Sequence, residues 1–269
     1  MQWTCPSARM AWLSLSLNGV MTSQPPANRP GTTAYRSFHA VLRWLALFGG
    51  PALFIVLAWE LWRTTTIAID APLQDGLRAF RSHAMTRFMS GVTHFGDTEA
   101  IYAIAIGGGL LLAFKRHWRS AIYLAAAAGG AGLLTRTLKE VFERARPLDA
   151  LLVKGGFAFP SGHSLLSAAT YGAVAVLIAT RLPRHKKVLV TVCVTIAALV
   201  GFSRAYLFVH FPSDVLAGWA LGAAWALWLK PLAIGPGMQA ATTPNEELRA
   251  DNFDPDELEQ DELQGAEPG

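Results

Sequence analysis

The sequence predicts an all-α fold, a polytopic membrane helical bundle of six transmembrane helices with an active site at the outer membrane face. Three observations predict it. Hydrophobic residues make up 52% of the 269-residue chain and charged residues 16%, whereas a soluble domain carries about 25% charged residues; mean hydropathy is +0.31. The apolar residues gather into runs of helix-spanning length separated by short basic loops, the pattern of a chain whose solvent is lipid. Residues suited to anion binding and proton transfer fall at the ends of those runs.

Taken in order, residues 1–40 are polar, and Pro25, Pro26 and Pro30 break any helix there. Trp12 to Leu17 is too short an apolar run for a signal peptide, no small-x-small cleavage site follows it, and Met10 and Met21 are alternative starts. The first expected span covers 41–62, with Trp residues suited to a membrane interface. In the loop 63–97, Leu77, Phe80, Ala84, Phe88, Val92 and Phe95 recur at spacings of three and four, while Arg78, Arg81 and Arg87 fall elsewhere. That pattern predicts an amphipathic helix lying on the bilayer surface, which either guides an anionic lipid or packs against the bundle. His83, His94, Asp97 and Glu99, in or beside this loop, read as ordinary surface.

Five further spans are expected at 98–114, 120–138, 164–180, 188–206 and 213–229. Gly107 to Gly109 and Gly129 to Gly132 give two of them the small residues that close helix packing in lipid requires. Lys115, Arg116 and Arg119 fill one short loop, and Arg181, Arg184, Lys186 and Lys187 another. Positive charge in short loops marks the cytoplasmic side, so both termini are expected inside. Arg63, Arg78, Arg81 and Arg87 in the loop assigned outside count the other way, but longer loops weigh less in that rule. From Gln239 onward ten acidic residues stand against Arg249 alone, so that segment carries −9 and the chain's net +4 leaves +13 for the rest. Three regions follow: a polar segment 1–40, a membrane domain 41–230, and an acidic tail 231–269 expected to be disordered and cytoplasmic. Cys5 and Cys193 suggest neither a disulfide nor a cysteine-based metal site.

Three polar clusters fall on the same side of this layout. Lys139 and Arg146-Pro147 leave the third span; seven residues of helix would put the two cations on one face about 10 Å apart. Pro160-Ser161-Gly162-His163 opens the fourth span, where unpaired backbone N–H groups and the helix dipole favour an anion and a histidine can move a proton. Ser203-Arg204, His210 and Asp214 bridge the fifth and sixth. Singly, each has a plainer reading: the cations as snorkelling side chains, Asp214 as a helix cap behind Pro212, Pro-Ser-Gly-His as a capped turn. Jointly, three cations, two histidines, a carboxylate and two helix N-termini at one membrane face call for a bound anion.

Lys139-x6-Arg146-Pro147, Pro160-Ser161-Gly162-His163 and Ser203-Arg204-x5-His210-x3-Asp214 resemble, in order and without departure, the three-part signature of the type-2 phosphatidic acid phosphatase superfamily. The resemblance covers roughly 41–230, and its six-span layout is similar to the integral-membrane lipid phosphate phosphatases. It implies that His210, oriented by Asp214, attacks phosphorus to form a phosphohistidine. It further implies that His163 protonates the departing oxygen, and that Lys139, Arg146, Arg204, the Ser161 hydroxyl and the amides of Gly162 and His163 hold the phosphate oxygens. No cluster with metal-ligand spacing is visible, so neither metal nor cofactor is expected. The expected partners are a lipid phosphate or diphosphate (phosphatidic acid, phosphatidylglycerol phosphate or undecaprenyl diphosphate) and the bilayer, with no nucleic acid. The oligomeric state is not legible. Two rival readings are a vanadate-dependent haloperoxidase-type oxidoreductase and a non-catalytic lipid-phosphate binder or transporter; the spans speak against the first, and the complete His163, His210 and Asp214 set against the second.

Overall fold

Apolar side chains gain little from one another in lipid, so membrane helices are held by close packing at small residues and by hydrogen bonds between them. The computed structural model describes residues 44–152, 155–182 and 184–233. Segment 1–40 with its alternative starts, and the acidic tail from Gln239, lie outside the described residues.

The regular structure of the described residues is helical throughout. A π-turn at Leu45–Gly49 leads into α1 (Gly50–Thr64). Two short helices, α2 (Asp70–Ala79) and α3 (His83–Thr93), precede a 3-10 turn at His94–Gly96. Then come α4 (Thr98–Phe114), α5 (Trp118–Phe142), α6 (Gly162–Arg181), α7 (Lys186–Tyr206), α8 (Pro212–Trp228) and a last turn, α9 (Lys230–Ala233).

Six spans were expected; by length and composition the described residues reach four, or five. The four are α5, α6, α7 and α8 continued through α9, and α3 with α4 makes the fifth if that pair, bent by 44°, is one span. The first expected span, 41–62, is described only from Trp44, and α1 within it has 15 residues.

The amphipathic helix expected across Leu77 to Phe95 is two helices. The chain breaks at Phe80 to Ser82, where Ser82 takes an extended backbone (φ −146°, ψ 155°) and its hydroxyl accepts the Met85 N–H at 3.2 Å as an N-cap. Phe80, Phe88 and Phe95 are exposed, while Met89, Thr93 and Gly96 turn inward. The second set, and not the phenylalanine stripe, packs the bundle, and α3 lies against α7.

At the centre stands α6, with 61% of its most apolar window buried against 28–39% in the other three spans. It touches α4, α5, α7 and α8. Its approach to α8 is set by two glycines of the latter, four residues apart. A Cβ at Gly218 would stand 2.7 Å from the Ser161 carbonyl oxygen, and one at Gly222 2.4 Å from that of Leu165. Of the glycines expected to matter, Gly108, Gly130 and Gly132 do meet neighbours, on Leu124, Trp225 and Tyr102, but Gly107, Gly109 and Gly129 face open space. Hydrogen bonds add to the packing: Tyr123 donates to the Ala226 carbonyl at 2.9 Å, Trp219 to Ala197 at 3.0 Å and Trp225 to Ala126 at 3.2 Å.

Candidate active site

The α6–α8 contact brings two helix N-termini together at one end of the bundle, and the Ser161 N–H donates to the Asp214 carbonyl at 3.0 Å. Gly162, at the first position of α6, allows α5 to approach: a Cβ there would lie 2.9 Å from Thr135 Cγ2 and 3.9 Å from Lys139 Cε. Lys139 therefore sits over the turn that carries Ser161 and His163. Ser161 is fully buried and its hydroxyl is 2.9 Å from that of Ser164.

Lys139 and Arg146 converge, but not as two residues on one helical face. Helix α5 ends at Phe142, and Glu143 turns the chain with a left-handed backbone (φ 42°). Arg146 then lies in the following loop, its Nε donating to the Gly156 carbonyl at 2.9 Å, its Nη2 to Gly155 at 3.2 Å and its Nη1 to Val209 at 2.7 Å. Lys139 Nζ donates to the Phe157 carbonyl at 2.6 Å. Arg204, in the last turn of α7, is 1% exposed and donates to Thr93 Oγ1 at 2.7 Å, while its Nε has no partner. Among the described residues none of these three cations lies within ion-pair distance of a carboxylate. Arg204 is buried and Lys139 and Arg146 are half-buried; cations held by carbonyls and a hydroxyl, without a carboxylate, are suited to binding an anion.

His210 lies between them in the short loop joining α7 and α8, 2% exposed. Arg146 Nη1 is 3.2 Å from His210 Nε2. A guanidinium can only donate, so the Nε2 lone pair accepts from Arg146 and the ring proton sits on Nδ1, which is buried and has no hydrogen-bond partner among the described residues. Asp214 Oδ2 stands 3.5 Å from Nδ1 and accepts the Phe211 N–H at 2.8 Å. Burial, and then the charges of Arg146, Lys139 and Arg204, hold His210 well below its ordinary pKa, so the ring is neutral and nucleophilic at neutral pH.

Behind Asp214 lies a network that the motifs do not contain. Arg144 is buried and bridges two carboxylates, Asp214 Oδ1 at 2.5 Å and Asp70 Oδ2 at 2.7 Å. Its Nη1 also reaches the Ser213 hydroxyl at 2.8 Å, and its guanidinium lies 4.1 Å from the Phe211 ring centroid. Asp70 in turn accepts the Ser213 N–H at 2.9 Å and the Ser213 hydroxyl at 2.7 Å. The only sequence signal was a second arginine two residues before Arg146; for Asp70 there was none.

His163 Nε2 lies 3.0 Å from Asp97 Oδ1, and His94 Nδ1 lies 2.7 Å from Asp97 Oδ2. Reading Asp97 as ordinary surface is thus incorrect, whereas His83, His94 and Glu99 are exposed. The carboxylate is drawn inward because Gly96 is buried against Val200 and the His163 ring. Among the described residues no group of three or more His, Cys, Asp or Glu side chains is placed to hold a metal ion.

This assembly of three unpaired cations, a neutral histidine and a second histidine is suited to nucleophilic displacement at phosphorus. Comparison with known proteins agrees with that chemistry. Residues 120–233 match the PAP2 superfamily. The chain is 35% identical to phosphatidylglycerophosphatase B of Bacillus subtilis over 63% of its own length and 85% of the relative's. It is 33% identical to an undecaprenyl-diphosphatase of Sulfolobus acidocaldarius, over 46% and 59% of the two chains. It is also 28% identical to a lipid A 1-phosphatase of Rhizobium etli, over 60% and 75%. The crystal structure of a transmembrane PAP2-type phosphatidylglycerolphosphate phosphatase from Bacillus subtilis superposes with a TM-score of 0.64 at 28% identity, covering 74% of this chain and 98% of that one.

Proposed function

The chain belongs to the PAP2 superfamily and is a multi-pass membrane lipid phosphatase, and from that premise we propose that it removes a terminal phosphate through a phosphohistidine on His210, without a metal. The observation that carries this reading is a set of three cations without carboxylate partners, Arg204 buried and Lys139 and Arg146 half-buried, with Arg146 Nη1 3.2 Å from His210 Nε2.

A lipid phosphate enters with its non-bridging oxygens on Lys139, Arg146 and Arg204, helped by the Ser161 hydroxyl and the first-turn amides at Gly162 and His163. His210 Nε2 attacks phosphorus, and an N–P bond forms as the P–O bond to the lipid breaks. The electron pair of that bond goes to the lipid oxygen, which takes a proton from His163. Asp214 balances the charge that grows on the His210 ring; the 3.5 Å gap to Nδ1 shortens as that charge develops. In the second half His163 takes a proton from water, whose oxygen attacks phosphorus, and the N–P electron pair returns to His210. Three fixed cations neutralise the transferring group, the task that a divalent ion performs in many phosphoryl transferases.

The relatives' names support three substrate classes, a phosphatidylglycerol phosphate, an undecaprenyl diphosphate and a lipid A 1-phosphate, to which the sequence adds phosphatidic acid. All present a terminal phosphate at headgroup depth. We place the site at the outer face of a cytoplasmic membrane, with six spans and both termini inside, on the strength of the basic loops at 115–119 and 181–187.

The test is phosphate release by detergent-purified protein from each lipid, with and without EDTA. Wild-type activity is expected to survive chelation and His210→Ala to lose it by three orders of magnitude or more, roughly the cost of removing a nucleophile elsewhere. Turnover that persists in His210→Ala overturns the phosphohistidine route; turnover abolished by EDTA overturns metal independence.

A further inference from the structure

We infer that Asp97 is the positioning residue of His163: it accepts the Nε2–H of that ring and presents Nδ1 to the oxygen that leaves phosphorus. The inference deepens the reading above and rests on it, since it takes His163 as the acid of the first half-reaction.

The geometry begins with the turn that precedes α4. Tyr171 of α6 donates to the Phe95 carbonyl at 2.9 Å, which fixes the 3-10 turn against the helix carrying His163. A Cβ at Gly96 would lie 2.3 Å from Val200 Cγ1 and 3.1 Å from His163 Cδ2. Only glycine lets the backbone come so close, and the next residue is thereby delivered to the Cδ2–Nε2 edge of the ring. There Asp97 Oδ1 stands 3.0 Å from Nε2. The far edge, with Nδ1, remains for the substrate. The second carboxylate oxygen is held 2.7 Å from His94 Nδ1, so Asp97 cannot swing away without losing both partners.

Charge explains why a carboxylate is needed here. His163 must be protonated when the lipid oxygen departs, yet Lys139 lies over the adjoining Gly162 and Arg204 adds its positive charge. A further positive charge beside these cations is costly in a water-poor setting. Of the carboxylates around the site, Asp70 and Asp214 are bound to Arg144, and Asp97 alone touches His163. It compensates the imidazolium and fixes its orientation, as a hydrogen-bonded carboxylate does for other working histidines. Across the cycle the proton leaves His163 for the lipid oxygen and returns from water, so Asp97 neither gains nor loses one.

An acid matters in proportion to how poor the leaving group is, and this separates the role from a structural one. The full chain in detergent is assayed as wild type, Asp97→Asn and Asp97→Ser. The two substrates are phosphatidic acid, whose leaving group is an alkoxide, and p-nitrophenyl phosphate, whose leaving group needs no proton. The quantity compared is kcat/KM, which reports the step that cleaves the P–O bond. Both variants are expected to lose roughly 10²-fold on phosphatidic acid, the lower end of what general acid catalysis contributes, and less than threefold on the aryl phosphate. An equal loss on both substrates in both variants, or no loss on either, overturns the inference. His210→Ala is assayed beside them: if it is inactive while both Asp97 variants match wild type, the phosphohistidine reading stands and only the role of Asp97 falls. If His210→Ala retains turnover, the reading beneath falls first.

Discussion

Among single residues, Arg144 shows how much of the site lies behind the motif. Its guanidinium occupies Oδ1 of Asp214 and leaves Oδ2 for the Phe211 amide and the His210 ring. Both side chains are almost fully buried, as is Asp70. Removing one member of such a set strands charge in a place without water, which costs about 3–5 kcal/mol for a buried pair. Arg144→Met is therefore expected to lower the thermal midpoint in detergent and to reduce activity as Asp214 loses its anchor. The double variant Arg144→Met with Asp70→Asn is expected to regain part of the stability; a single variant as stable as wild type would show that the network does not hold the loop. Arg146, two residues on, uses its donors on three carbonyls and the His210 ring, and so keeps its charge available to a ligand.

At the scale of elements, the candidate catalytic groups are as close as α6 and α8 allow. Gly218 and Gly222 set that distance, because a side chain at either would press on the backbone of α6. Gly222→Val is expected to cost roughly 1–3 kcal/mol through overpacking and to depress kcat more than its effect on stability would explain, since it parts the turn of His163 from that of Asp214. Gly107→Ala, facing open space in α4, serves as the control and should leave both properties near wild type. Kinetics and melting of the two variants check this; equal behaviour would separate α6–α8 spacing from catalysis. The same scale explains the amphipathic segment: spacing of three and four gave a helical period, but one helix ended at Ala79 and Ser82 capped the start of another, and an inward face of Met89, Thr93 and Gly96 was hidden by their mixed chemistry.

For the whole molecule, function depends on which side of the bilayer the site faces. In a chain freed of Cys5 and Cys193 by serine substitution, a cysteine at Leu148, which is fully exposed beside the site, should react with a membrane-impermeant maleimide in intact cells. One at Lys115, in a basic loop between α4 and α5, should react only after permeabilisation. The reverse pattern would invert the proposed topology and place phosphate release inside.

The sequence by itself determined the membrane class and the bounds of most long helices, and it singled out eight residues as candidate site groups, because each of these is written in local spacing: a run of apolar residues, a turn before a helix, a cation at a helix end. α4 spans Thr98–Phe114, the expected 98–114, and Lys139, Arg146, Ser161, Gly162, His163, Arg204, His210 and Asp214 do lie at one end of the bundle. Only the tertiary structure decided who supports them. Asp97 meets His163 from 66 residues away and Asp70 meets Ser213 from 143. Contacts at that separation come from helix packing and glycine-permitted approach, which no spacing rule along the chain encodes. Likewise Lys139 and Arg146 converge through a turn at Glu143 and not along a helical face, because the chain leaves the helix where backbone carbonyls from a neighbouring loop can hold the arginine.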